Sequence, residues 1–434
     1  MVSRVEMPSP AGRSSIARAT ILLLALAVLG GCGSTLKTGQ ASPALATFAH
    51  TSAKASRSCP ATVLKTLGNV LSRVYHEGVF SERTASAQYM ITHSVALREA
   101  VESGNRTAAS TAAAALLATG HMTNLRVMRG SQTLVDVGGA ALSPLSGTLL
   151  GANGTPIASY VASVWADSGF LVEARGITQG SIDLRVDERS VGGSLALAPG
   201  PRPNEGALSF HGVRYQYTSL PAVAYPSGAA RIYLLLALRS ITPLCGHTKQ
   251  DTTVNTLTRV ANLIYTGESG DSAQKQVLRV QHNRALLEAV ARREPAATEL
   301  AIKALLNHHI VRLRVSAGGQ LLSDVGGPYV LAPVVAPLRL DGHTIGSFVL
   351  SIQDDEGYLR LSRRLAGLDV LMYMEASPGE QQLVKNSLGA LPGYVPVDGP
   401  YTYRGRHYRV FTVHAKAFPS GPLTIRVLVP LPYP

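Results

Sequence analysis

The chain says one thing twice, and that repetition restricts its fold more than any other feature. His121-Met-Thr-Asn-Leu-Arg-Val127 is matched by His309-Ile-Val-Arg-Leu-Arg-Val315, 188 residues on. The same offset carries Asp136-Val-Gly-Gly139 onto Asp324-Val-Gly-Gly327, and Gly154-x-x-Ile157-Ala-Ser159 onto Gly342-x-x-Ile345-Gly-Ser347. It also carries Asp167-Ser-Gly-Phe170 onto Asp355-Glu-Gly-Tyr358. Farther along the offset becomes 193, where Gly212-Val-Arg-Tyr215 meets Gly405-Arg-His-Tyr408 and Tyr225-Pro-Ser-Gly228 meets Phe418-Pro-Ser-Gly421. Upstream, Leu97-Arg-Glu-Ala-Val101 pairs with Leu286-Leu-Glu-Ala-Val290. So many matches in one order, with small drifts in spacing, are a tandem duplication. Two ordinary domains fit within 434 residues.

Each repeat opens with helical patterning. In the second, Leu278, Ala285, Leu286, Ala289 and Val290 recur at spacings of one apolar stripe, and Ala301, Leu305 and Leu306 extend it past Pro295. Val95, Val101 and the Ala-rich run from Ala108 to Ala118 do the same in the first. The period then switches to two. Leu313-Arg-Val315, a turn at Gly318-Gly319 and Leu321 to Val325 predict a hairpin. Thr344 to Ile352 predicts a strand, which Asp354-Asp-Glu-Gly357 turns into another at Tyr358-Leu-Arg-Leu361. Val370 to Tyr373, His407 to His414 and Leu423 to Val429 predict later strands, and Ile232 to Leu238 a buried one. The expected class is α+β, with helices packed on a mostly antiparallel sheet in each repeat.

The N-terminus bears on location. Arg4, Arg13 and Arg18 precede the apolar run Ile21 to Leu29, which ends in Gly30-Gly31-Cys32. A basic segment, a short apolar core and small residues at the exit make an export signal, too short to span a bilayer as a mature helix. With its terminal cysteine it resembles a bacterial lipobox, which implies cleavage and a lipid on Cys32; an ordinary secretory signal with an accidental Cys, or an uncleaved anchor, are the alternatives. The expected organisation is a signal over 1–31, a flexible Ser/Ala/Thr/Gly-rich tether over 32–57, and repeats over 58–240 and 241–434. Apart from its anchor the mature protein is expected to be soluble, on the extracytoplasmic face of the cell membrane.

Of three cysteines, Cys59 and Cys245 remain once Cys32 carries lipid. They sit at matching places in the repeats, each expected to open its first helix. In an oxidising compartment they form a candidate disulfide locking the repeats side by side; two reduced thiols are the alternative. The net charge of +13 favours an anionic lipid surface or acidic envelope polymer, or it reflects a generally basic composition with no partner. Export and the lack of a basic stripe with interleaved aromatics exclude nucleic acid.

The ordered series of helices, "LRV…L.DVGG", "dG..IGS", "DdeGy" and "fPSG" resembles extracytoplasmic sensor domains of the Cache type, relatives of PAS folds. The likeness covers residues 59–238 and 245–434. It implies two tandem Cache-like modules, a small ligand held against a sheet under a loop-rich cap, and a receptor output. No helix follows the second repeat to drive such an output, so binding of a small extracytoplasmic molecule or of a membrane or envelope protein partner is the expected role. A structural or assembly lipoprotein without a pocket is the alternative.

Chemistry is not expected. The sequence has no Gly-x-Ser-x-Gly elbow, His-Glu-x-x-His pair or phosphate-binding Gly loop, and no enzymatic activity, cofactor or metal is implied. His308-His309 point apart on an extended segment, and Asp354-Asp355-Glu356 is better explained as a turn than as a cation site. The candidate ligand contacts are Arg126 and Arg314, equivalent in the repeats, and the equivalent pair Asp136 and Asp324. Each arginine is either solvated or presents a fork to a carboxylate, and each aspartate either accepts from an amine or ends a hairpin. Tyr215 and Tyr408 are expected to pack.

Overall fold

Cys59, Val63, Leu67, Val70 and Val74 are spaced by four and three residues, which lays one buried stripe along the first helix. The computed structural model describes residues 45–434 except 196, 268–269, 307–309, 378–379, 391, 419–420 and 434, with side chains apart from 45–57, 271 and 376–377. Cys32, the signal and the first half of the tether therefore lie outside the described residues, as do His308 and His309.

The first half begins with α1 (Leu45–Phe80), α2 (Glu82–His93), α3 (Val95–Glu102) and α4 (Arg106–Ala118). Six strands follow: β1 (Asn124–Arg129), β2 (Gln132–Gly138), β3 (Ala141–Leu142), β4 (Leu145–Leu150), β5 (Pro156–Ser163) and β6 (Trp165–Ala166). After α5 (Asp167–Thr178) come β7 (Ser181–Val186), β8 (Arg189–Gly193), β9 (Glu205–Phe210), β10 (Val213–Tyr225), β11 (Gly228–Ala237) and the short α6 (Leu238–Ile241). The second half repeats the plan. Its helices are α7 (Lys249–Gly267), α8 (Asp271–Gln281), α9 (Arg284–Ala291) and α10 (Pro295–Leu306), then β12 (Arg312–Ala317), β13 (Gln320–Gly326), β14 (Val330–Leu331), β15 (Val334–Leu340), β16 (His343–Ser351) and β17 (Gln353–Asp354). It closes with α11 (Asp355–Ala366), β18 (Asp369–Ser377), β19 (Glu380–Asn386), β20 (Gly399–Tyr403), β21 (Arg406–Phe418) and β22 (Gly421–Leu431).

Each half divides its strands between two antiparallel sheets. The small ones run β2-β1-β5-β4 and β13-β12-β16-β15. The large ones run β6-β3-β10-β11-β7-β8, with β9 beside β10, and β17-β14-β21-β22-β18-β19, with β20 beside β21. The fold class is thus the expected α+β duplication. Within a half, moreover, the path β2-β1-β5-β4 recurs as β8-β7-β11-β10, so one strand path is used twice.

The small sheets pack on their own helices, each around a separate core. The large sheets share one. A single buried cluster takes in Val63, Leu71 and Val74 of α1, Phe170 of α5, Leu257 and Val260 of α7, Tyr358 of α11, and the inner faces of both large sheets. Tyr75 of α1 accepts from the Val223 amide of β10 at 2.8 Å, and Tyr265 of α7, one helical turn beyond the position equivalent to Tyr75, accepts from the Lys416 amide of β21 at 3.0 Å. These bonds seat α1 on one large sheet and α7 on the other. Ala49–Pro434 accordingly forms one compact unit. Cys59 and Cys245 are bonded across it with their Cα atoms 5.5 Å apart.

Several local expectations change. Asp354 does not start a hairpin; its carboxylate accepts from the Gly357 amide at 2.6 Å and caps α11. Asp355 and Glu356 follow in the first turn, where a carboxylate favours the helix dipole, and Tyr358 and Leu365 bury a face at helical spacing. The stripe through Leu278 and Ala285 breaks because Asn283 caps α9, accepting from the Leu286 amide at 2.9 Å; Leu278 and Ala285 are both exposed. Ser94 caps α3 in the same way on Leu97, the sister of Leu286. α1 begins at Leu45, inside the stretch read as tether, where Ala, Lys and Arg favour helix without any apolar period. Cys59 therefore lies within α1, and Cys245 follows a 3-10 turn ahead of α7.

The shared core predicts a single calorimetric unfolding transition with the disulfide present or absent. The double variant Cys59→Ala/Cys245→Ala should lower stability by up to about 4–5 kcal/mol, the loop-closure entropy of so long a loop. Two separate transitions in the variant would show that the bridge, not the core, joins the halves.

Candidate functional site

The four residues expected to meet a ligand meet each other. Arg126 on β1 stands directly opposite Asp136 on β2, and Arg314 directly opposite Asp324. Arg126 Nη2 donates to Asp136 Oδ2 at 2.7 Å while its guanidinium lies 4.7 Å from the ring centre of Tyr225, at the end of β10. The Tyr225 hydroxyl donates to the other oxygen of Asp136. In the second half Arg314 and Arg312 both reach Asp324, at 2.6 and 2.8 Å, and both lie over Phe418 at 4.3 and 4.7 Å. Phe418 has no hydroxyl, and Arg312, where the first half has Asn124, supplies the third contact. Each cluster stitches a small sheet to its large sheet. The glycine after Asp-Val serves the same closure: a Cβ on Gly138 or Gly326 would collide with the carbonyl oxygen of Thr123 or Val311, and both have positive φ.

Burial alone would raise both aspartates, but the arginine hydrogen bonds (with Tyr225 at Asp136) outweigh it and hold them below the ordinary carboxylate range. Tyr408, as expected, is buried in packing, and its hydroxyl donates to Asp369 at 3.2 Å.

The outer faces of the large sheets carry a second pair of equivalent features, for which the sequence has no motif. In the first half Arg185 of β7 lies 5.9 Å from the ring centre of Tyr233 on β11. In the second, Arg426 of β22 lies 4.2 Å from that of Tyr373 on β18. By strand register these positions correspond crosswise: Tyr373 takes the place of Arg185, and Arg426 that of Tyr233. The cation–π pair persists with its partners exchanged between neighbouring strands. Each arginine also pins the connector that crosses its sheet. Arg185 donates to the carbonyls of Gly200 and Ala198 at 3.0 and 2.6 Å, and Arg426 to that of Val395.

Each connector also buries an apolar side chain on its sheet: Val395 with Leu371, Tyr408, Val410 and Leu428 in the second half, and Leu197 with Tyr217, Tyr233 and Leu235 in the first. In the first, a cleft of about 320 Å³ lies beside the connector, lined by Arg185, Arg202, Arg231 and Tyr233, with Asp187 and Glu188 from the β7–β8 turn. Asp183, fully buried on the same strand face, pairs with Arg185 at 3.4 Å. Burial pushes its carboxyl above the ordinary range despite the Ser190 hydrogen bond and the nearby charges of Arg185 and Arg202. Arg185 Nε is the atom that faces Asp183, whereas Arg202 Nε is, among the described residues, buried without a hydrogen-bond acceptor or ion pair. A site with a spare guanidinium donor among three arginines fits an anion. Aligning the repeats position by position finds it, since Arg falls on Tyr and Tyr on Arg there.

No protein-family model matches the chain, and no curated protein matches it. Among solved structures it is similar to an extracellular ligand binding receptor from Desulfohalobium retbaense DSM5692, at 9% identity and a TM-score of 0.20. That match covers 51% of this chain and 47% of the receptor, so the chain spans about half the receptor's length. A superposition this loose carries no argument about function.

Asp324 gives the clearest pH signature. A carboxylate held low in the folded state contributes stability above its unfolded pKa, and loses it as pH falls through the folded value. The melting temperature of the native chain should therefore fall more steeply below about pH 4 than that of Asp324→Asn, which starts lower at neutral pH. Parallel melting curves against pH would show that the cluster contributes nothing.

Proposed function

We propose that the chain is an extracytoplasmic, membrane-tethered, non-catalytic binding protein whose first half takes a small anionic ligand. The observation that carries the reading is the buried Arg202 Nε, left without an acceptor beside an open cleft that Arg185 and Arg231 also line. A carboxylate or phosphate oxygen entering there would satisfy a donor that the protein leaves unused, which is the usual source of selective polar binding. The tether and the lipid on Cys32 rest on the N-terminal sequence. Among the described residues no helix is long and apolar enough to cross a membrane.

The second half supports a different role. Its corresponding face buries Val395 beneath Arg426, which stacks on Tyr373 and also keeps a buried Nε without an acceptor; we read this face as scaffold because its connector is the more closely pinned. If neither half took a ligand, the chain would be an assembly lipoprotein that binds an envelope protein or polymer.

Isothermal titration of the full chain with acetate, succinate and inorganic phosphate tests the proposal. At least one anion should bind saturably and raise the melting temperature, because a ligand selective for the native state stabilises it. Arg202→Ala and Arg231→Ala should each weaken that binding about tenfold or more, roughly 1.4 kcal/mol. Binding of none of the three would favour the assembly role.

A further inference from the structure

A second cavity, of about 420 Å³, opens between the halves, where α1 and α2 face α5, β6 and α11. Its walls carry charges of both signs, and nearly all of them are committed. Arg364 pairs with Glu77 across the half boundary. Arg83 donates to the carbonyls of Gly120 and His121 at 2.7 and 3.1 Å. Arg360 stands 3.9 Å from Glu82. Glu173 is the exception: among the described residues its carboxylate has no hydrogen bond or ion pair, and burial alone pushes it above the ordinary range.

The duplication shows that the fold does not require an acid there. α5 and α11 are sister helices of equal length, and the position equivalent to Glu173 is Leu361, which lines the same groove. A partly buried carboxylate therefore stands where its sister does with leucine, and removing such a group from water without a partner is unfavourable. Beside it lies Trp165. Its Cδ1 edge is tucked against Gly78, where there is no room for a Cβ, so the ring offers the groove carbon surface rather than its N–H. An unmatched carboxylate next to an aromatic surface is the pairing that recognises an organic cation.

We infer that this groove is a second binding site, separate from the anion cleft, that takes a small organic ammonium group on the Glu173 carboxylate against Trp165. The bound cation supplies the partner that the acid lacks. Binding should weaken as pH falls through the raised pKa of Glu173, because the protonated acid loses its charge. Glu77, Glu82, Arg83, Arg360 and Arg364, the other charged groups of the groove, stay paired.

Titration of the full chain with ethanolamine, putrescine and choline decides the matter, with acetate as the anionic control. At least one amine should bind saturably at neutral pH. That affinity should drop tenfold or more in Glu173→Leu, which installs the sister helix's residue, and in the isosteric Glu173→Gln. Arg202→Ala should leave it unchanged, which separates this site from the anion cleft. Glu173→Leu should melt no lower than the native chain. The inference is overturned if no amine binds, if both Glu173 variants bind as tightly as the native chain, or if Glu173→Leu melts lower, since the acid would then have a structural partner.

Discussion

Everything in this molecule depends on one burial event that ignores the boundary between the repeats. Each large sheet is apolar on its inner face and carries two helices, and those helices have apolar residues on the side away from their own sheet. Neither half can cover that second surface alone. Val70 and Val74 of α1, Leu257 and Val260 of α7 and the helices α5 and α11 close it mutually. At roughly 25 cal/mol per Å² of apolar surface removed from water, a contact of this extent outweighs any single ion pair or cross-link. The disulfide is best regarded as a fastener on a joint that hydrophobic burial has already made.

Polar clusters then fix how each small sheet hangs from its large one. The first half uses one arginine, one aspartate and a tyrosine; the second uses two arginines, one aspartate and a phenylalanine. Both leave a carboxylate fully hydrogen-bonded, by different donors. The chain thus records two solutions to one steric and electrostatic problem, and their agreement marks the clusters as parts of the frame. Residues that look like a ligand's fork from sequence alone are here the fork and the ligand at once.

Much of the fold was legible because duplication and period are local signals. The paired motifs, the switch from helical to alternating spacing, the matched cysteines and the buried strand at Ile232 all survive in the structure. What stayed hidden depends on contacts between distant segments. Nothing local says that β3 leaves β2 and β4 to join a different sheet, or that one strand path occurs twice in a half. Asp354-Asp-Glu-Gly357 can cap a helix or turn a hairpin, and only the burial of Tyr358 and Leu365 selects the helix. The cleft was missed because Arg185 and Asp183 form no motif, and each looks like an ordinary solvated strand residue. Glu173, likewise, is unusual only against Leu361.

The bridge joins residues that hold the same place in the two repeats, and its sequence separation of 186 is the local repeat distance. Equivalent atoms can touch only where the rotation relating the halves has its axis, so Cys59 and Cys245 mark that axis. Glu173 and Leu361, also equivalent, line one groove and so flank the same line. On an axis every side chain faces its own copy: two cysteines can bond, but two glutamates would repel. A protein that doubles itself meets this constraint along its own symmetry line, and there the cysteines have stayed alike while Glu173 and Leu361 differ.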